Sequence, residues 1–138
     1  HDLDRYDDRL KDNVLNVLLT PTKIYVKSVL NLIAKVKVKG IAHITGGGFI
    51  ENIPRIFPEG IGCVIDKNSY PVPEIFKIMK EKSEASDDQL YNTFNMGIGM
   101  VFCVDKKDVQ KTIETLNATG EKAYLIGETV KGKGVAFK

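Results

Sequence analysis

Three consecutive glycines, Gly46-Gly47-Gly48, sit inside the stretch IAHITGGGFIENIPRIF. Each glycine in a regular element gives up about 0.5–1 kcal/mol relative to alanine. A run of three therefore forces a sharp break in the chain. Upstream, KGIAHIT reads as a short strand. Downstream, FIENIPRIF reads as a short helix, held to one or two turns by Pro54. The constraint is a strand, a glycine turn and a helix start in immediate succession.

That succession has two physical readings, and the residues alone leave both open. One is an anion cradle, because the first amides of a helix lack partners and the helix dipole adds positive charge. Glycine then lets a phosphate approach the backbone, Thr45 adds a hydroxyl, and Arg55 supplies a bidentate contact if the short helix turns it back. The other is a plain tight turn or a close backbone crossing. Glu51 opposes the first reading, since its charge repels a phosphate unless it points away or binds a metal. The run is not a Walker loop, for no Lys-Ser/Thr follows it, and it is not a GxGxxG after a first strand. His43, two residues before Thr45, is either a hydrogen-bonded structural residue or a base beside the loop.

The rest of the chain alternates. A helix is expected from Lys23 to about Val36, with Tyr25, Val29, Leu32 and Ile33 on one face. GIGCVID is an apolar strand. SYPVPEIFKIMKEK carries prolines suited to a helix start, with Ile75, Phe76 and Met79 on its apolar side. SEASDDQLYNTF is polar and its end reads as a short helix, and NMGIGMVFCVD is the strongest strand. In a strand, Gly97 and Gly99 share one face, where something can lie close; the alternative is a bulge or strand entry. DKKDVQKTIETLNATG is the clearest helix, with Asp105 at its N-cap, Val109, Ile113 and Leu116 as its stripe and Gly120 as its stop. KAYLIGETV reads as a strand and GVAFK as an edge strand. The alternation makes 1–138 a single α+β domain, a layered α/β arrangement with a mixed β-sheet packed by helices.

Composition narrows function mainly by exclusion. A net charge of +2 is too small to argue for nucleic acid. No apolar run approaches the roughly 18 residues of a membrane span. The acidic opening HDLDRYDDRLKD is unlike a signal peptide, so a cytoplasmic chain is the expectation. Cys63 and Cys103 lie in apolar strands with no CxxC, which reads as buried thiols; no metal ligand set is expected. Between Asn13 and Ile50 there is no acidic residue, whereas Lys23, Lys27, Lys35, Lys37 and Lys39 fall there. This is either a solvated lysine face or a positive field leading into the glycine run. The first residue is His1, so the chain is expected to be processed or part of something longer.

Five blocks in this order and spacing carry a resemblance: LLTPTKIYVKSVL, KGIAHITGGGFIENIPRIFPEG, YPVPEIFKIM, YNTFNMGIGMVFCV and GEKAYLIGE. From about Leu18 to Val130 the chain resembles the C-terminal half of the phosphoribosylformylglycinamidine cyclo-ligase (aminoimidazole ribonucleotide synthetase) family. The resemblance implies a two-half enzyme whose N-terminal half carries most of the ATP and Mg2+ site and the dimer-forming strands. It implies ATP-dependent ring closure of formylglycinamidine ribonucleotide in purine synthesis, with a homodimer at full length. It carries His43 over as a catalytic candidate, and Thr45, Gly46, Gly47, Gly48, Asn52 and Arg55 as phosphate or substrate contacts. Asn95, Gly97 and Gly99 come over as a secondary cleft. Tyr70 departs from the tryptophan expected before PVP but keeps an aromatic anchor. Related two-half enzymes are rivals of the same plan: selenophosphate synthetase, formylglycinamidine synthetase, thiamine-monophosphate kinase and the hydrogenase maturation protein. A non-catalytic anion-binding module is a rival of another class.

Overall fold

The computed structural model describes residues 2–138. Two short strands, β1 (Tyr6–Asp7) and β2 (Asp12–Asn13), pair antiparallel and lead into the five-residue helix α1 (Val14–Leu18), capped by the Asn13 side chain. Helix α2 (Val26–Ile33) is shorter than the sequence pattern at both ends. It buries Ser28 and Leu32, one turn apart, and leaves Val26, Leu30 and Ile33 exposed along another face.

Strand β3 (Val38–His43) ends just before the glycine run, and α3 (Gly48–Asn52) begins within it. Pro54 converts the continuation into a single 3-10 turn, Ile53–Ile56, as the proline dictates. Strand β4 (Ile61–Ile65) follows, then α4 (Glu74–Lys82) with Pro73 at its N-cap. The side chain α4 buries is Ile78, whereas Ile75, Phe76 and Met79 are half-buried. Helix α5 (Asp87–Thr93) starts with a complete capping box, Ser86 to Gln89 and back.

Strand β5 (Met100–Val104) is shorter than NMGIGMVFCVD allows, because the chain turns at Met96-Gly97 before entering it. Helix α6 (Val109–Asn117) is preceded by a 3-10 turn whose N-cap position is Asp105, although the Asp105 carboxylate caps nothing and pairs with Lys39 instead. Gly120 does stop the helix: at φ +86° it donates to the Asn117 carbonyl while Glu121 N–H reaches the Leu116 carbonyl at 3.2 Å. That pair of bonds is a Schellman motif. The buried face of α6 is Thr112, Thr115 and Leu116, so Val109 and Ile113 contribute less than their apolarity implies.

The strands form three small sheets rather than one. β3 pairs antiparallel with β5. β4 is central to a mixed sheet, antiparallel to β6 (Gly127–Lys131) and parallel to the edge strand β7 (Val135–Phe137). The expected strand over KAYLIGETV is thus confined to its end, since residues 121–126 pair with no strand. The α+β class holds, with the mixed pairing limited to the β4 sheet.

The main core joins the two larger sheets through Ala42, Ile44, Phe49, Ile53, Cys63, Ile65, Tyr70, Leu90, Tyr91 and Met96. Phe49 and Ile53, directly behind the glycines, are among its most deeply buried side chains. Tyr70 fills the aromatic anchor position, its hydroxyl 3.3 Å from that of Tyr91. A second cluster, Leu32, Val36 and Leu116, ties α2 to α6.

Candidate functional site

Antiparallel pairing decides where the two glycine blocks lie. His43, the last residue of β3, faces Met100, the first of β5. The segment leaving β3 and the segment entering β5 are therefore at the same end of the ladder. Ile44 N–H donates to the Gly99 carbonyl at 2.8 Å and extends the pairing by one step. Thr45–Gly48 and Asn95–Gly99, separated by some fifty residues of sequence, meet at this edge.

The three glycines sit in three different environments. Gly48 has φ +53°, and a Cβ there would lie 2.0 Å from the Tyr91 carbonyl oxygen and 2.8 Å from that of Phe94. Its role is to let α3 lie against the end of α5. Gly47 has φ +93°, and its Cβ would meet the Glu51 side chain at 2.6 Å. Gly46 has ordinary backbone angles and nothing within 4 Å of its Cβ position. Only Gly46 opens onto free space. Gly48 N–H is already engaged by the Thr45 carbonyl at 3.0 Å. The amides of Gly46, Gly47 and Phe49 donate to no protein acceptor among the described residues.

Asn52 holds this loop from below. It is buried, and its amide nitrogen lies 2.8 Å from the Gly48 carbonyl, 3.1 Å from that of Gly46 and 3.5 Å from that of Thr45. Its carbonyl oxygen accepts from Arg55 Nη1 at 3.3 Å. Asn52 thus organises the turn, and its amide has no donor left over for a ligand. Arg55 also faces Glu51, Nη2 to Oε2 at 3.6 Å, across one turn of an exposed surface. Glu51 does not point away from the turn, since its Oε2 is the atom 2.6 Å from the Cβ position of Gly47, and Arg55 offsets its charge there.

The second block contains a strained turn. Ile98 N–H donates to the Asn95 carbonyl at 2.9 Å, with Met96 at φ +49° and Gly97 at φ +97°, the signature of a type I′ turn. A non-glycine residue in the left-handed region costs about 1–2 kcal/mol. Met96 tolerates it because its side chain is anchored in the core. The Asn95 carboxamide oxygen accepts Gly97 N–H at 2.9 Å, so Asn95 too is engaged in shaping backbone. A Cβ on Gly97 would collide with Pro73 Cδ at 2.4 Å, and one on Gly99 with the Tyr25 hydroxyl at 1.8 Å. Gly97 and Gly99 lie in the entry to β5, not on one face of it.

His43 is exposed, with the Tyr25 ring edge-on to it at a centroid distance of 6.1 Å. Burial raises the Tyr25 phenol above its ordinary value, Lys23 opposes this and Glu121 adds to it, so the hydroxyl stays protonated at neutral pH. The edge therefore presents His43, Thr45 and Gly46 outward, with Arg55 exposed on the neighbouring turn and Asn52 beneath. Tyr25, Pro73 and Tyr91 are the contributors that sequence reasoning missed. Each acts by pressing on a glycine from a distant segment, which no local pattern reveals. Among the described residues no three His, Cys, Asp or Glu side chains converge. Cys63 and Cys103 stand apart from the edge, both with thiol pKa values raised by burial.

Comparison with known proteins supplies the family. Residues 2–138 match the model described as AIR synthase related protein, C-terminal domain. The chain is 51% identical over 135 residues to a phosphoribosylformylglycinamidine cyclo-ligase of Bacillus cytotoxicus, covering 98% of this chain and 39% of that protein. It is 60% identical over 111 residues to the protein of that name from Clostridium kluyveri, covering 80% of this chain and 33% of that one. The chain thus spans well under half the length of the relatives it matches. Among solved structures, a hydrogenase maturation protein, HypE of E. coli, superposes with a TM-score of 0.68 over 91% of this chain and 41% of its own, at 22% identity. That likeness is one of fold. The resemblance read from the five sequence blocks holds, and the chain belongs to the AIR synthase related family as its C-terminal domain.

Proposed function

We propose that this chain is the C-terminal half of an ATP-dependent cyclo-ligase that converts formylglycinamidine ribonucleotide to aminoimidazole ribonucleotide in purine synthesis. The observation that carries the reading is the meeting of the two glycine blocks at one end of the β3–β5 ladder. In this reaction ATP transfers its terminal phosphoryl group to the formyl oxygen. An amidine nitrogen then attacks that carbon, and the oxygen leaves with the phosphate. Both steps shift negative charge among phosphate oxygens, and fixed backbone donors stabilise such charge without reorganising. The amides of Gly46 and Gly47, the Thr45 hydroxyl and the Arg55 guanidinium are the donors this half contributes. His43, exposed on the strand end beside them, is the side chain to which this reading assigns proton transfer at the cyclising nitrogen.

The remainder of the reading concerns the half outside this chain. On this reading ATP and Mg2+ are held mainly there. The full-length protein is a homodimer working in the cytoplasm, and the cleft lies between the two halves. The exposed stripe Val26, Leu30 and Ile33, with Ile24 82% exposed beside it, supports a partner surface. The lysines around it and the lack of acidic residues between Asn13 and Ile50 favour the N-terminal half over a second copy of the same lysine-rich face.

The test is a fusion of this chain to the N-terminal part of the Bacillus cytotoxicus relative. ATP-dependent formation of aminoimidazole ribonucleotide, read as a diazotisable amine, is expected from the fusion and not from the 138 residues alone. A folded, ATP-binding fusion that forms no product would overturn the reading. Turnover by the isolated chain would overturn the shared cleft.

A further inference from the structure

We infer that Tyr25 is a positioning residue that couples the second glycine block to His43 across the β3–β5 edge. This rests on the proposed reading of that edge as part of the reaction cleft. Tyr25 stands at the N-cap of α2, far in sequence from either partner. Its ring lies edge-on to the His43 imidazole, at 6.1 Å and 69° between planes. Its hydroxyl occupies the place a side chain on Gly99 would take, 1.8 Å from the ideal Cβ, with Cζ at 2.7 Å and Cε2 at 3.2 Å. One phenol therefore touches both sides of the ladder end, where Ile44 N–H and the Gly99 carbonyl close the pairing.

The segment that carries Tyr25 is pinned on its other side. Glu121 accepts from Ser28 Oγ at 2.6 Å and pairs with Lys23. Tyr25 thus sits between two anchored residues of its own segment. Beneath it, Tyr25, Pro73, Gly97 and Gly99 share the wall of a cavity of about 510 Å3. Gly99 leaves the room, the ring fills it, and the same ring limits the angles open to His43. A displaced ring would free both the imidazole and the turn at Met96-Gly97.

Two experiments separate this coupling from the cyclo-ligase reading. The first uses the chain as it stands and a double-mutant cycle on thermal midpoint, with Gly99→Ala, Tyr25→Phe, Tyr25→Ala and the pairs. Gly99→Ala alone should lower the midpoint, Tyr25→Phe should relieve it in part because Cζ remains at 2.7 Å, and Tyr25→Ala should nearly abolish the added loss. The ring-current-shifted imidazole signals of His43 should move in Tyr25→Leu and hold in Tyr25→Phe. Additive losses, or unmoved His43 signals in Tyr25→Leu, would overturn the coupling whether or not the fusion is active. The second uses the active fusion: Tyr25→Leu should lower kcat about 10- to 100-fold while KM for ATP stays within about twofold, and Tyr25→Phe should recover most of it. An unchanged kcat in Tyr25→Leu would overturn the positioning role. A fusion inactive with Tyr25 intact fails the cyclo-ligase reading and leaves the cycle to decide the coupling.

Discussion

Replacing Gly48 by alanine and Gly46 by alanine should separate the glycine that builds the fold from the glycine that faces a ligand. At Gly48 two costs combine. A left-handed φ of +53° costs an alanine about 1–2 kcal/mol. The new methyl would also sit 2.0 Å from one carbonyl oxygen and 2.8 Å from another, both backbone atoms at the end of α5. A rotamer change relieves neither contact, so α3 and α5 must part by roughly 1 Å, and overpacking of this kind costs about 1–3 kcal/mol. Together these come to about 2–5 kcal/mol, a large share of the 5–15 kcal/mol that is typical of a domain. The thermal midpoint should fall by about 7–17 °C. At Gly46 neither cost applies, and Gly46→Ala should stay within about 0.5 kcal/mol of the parent. Its methyl should instead obstruct the open face and weaken phosphate binding. Thermal and urea unfolding of both variants, with a phosphate titration of each, reads the contrast. Equal destabilisation at the two positions, or a Gly48→Ala variant as stable as the parent, would refute the assignment of roles.

Other outcomes follow from the same contacts. Asn52→Leu removes the donor shared by the Gly48, Gly46 and Thr45 carbonyls and should cost about 1–3 kcal/mol, with faster hydrogen exchange confined to residues 45–52. Arg9 donates to Glu74 at 2.5 Å and to Glu81 at 2.5 Å, pinning the acidic N-terminal segment to α4, so Arg9→Ala should speed proteolysis within residues 2–13 with little change in the midpoint. Lys77 and then Arg9 hold Glu74 below its ordinary value of 4.5, and Arg9 does the same for Glu81. Their folded pKa values are depressed, so the contribution is complete above about pH 4.5 and disappears as the pH falls through the lowered values. Protease resistance of the segment should fade in that window and persist at neutral pH. Burial pushes the Cys63 thiol up to about 11, so at pH 8 it should resist a thiol reagent in the folded chain and react once urea unfolds it.

Local chemistry made much of this fold legible. The strand before the glycines, the turn and short helix with Pro54, and the stop at Gly120 are written in neighbouring residues, and each lies where those residues place it. The ends of α2 and the loss of strand before Gly127 were not legible, because tertiary packing sets where a marginal element ends. The site was half legible. The motifs named the two blocks, but their meeting depends on antiparallel pairing of β3 with β5, which no short-range pattern encodes. The reasons for Gly48, Gly97 and Gly99 lie in Tyr91, Pro73 and Tyr25, each remote in sequence. Asn52 was read as a ligand contact, and its amide is instead directed at the loop carbonyls.

The glycine edge can be probed with inorganic phosphate alone, by following backbone amide signals of the chain during a titration. The expected result is a saturable movement of Gly46 and Gly47 with a common midpoint, while Gly48, bonded to the Thr45 carbonyl, moves less. Those two amides remaining still while others shift would contradict the reading of this edge as a phosphate-facing surface.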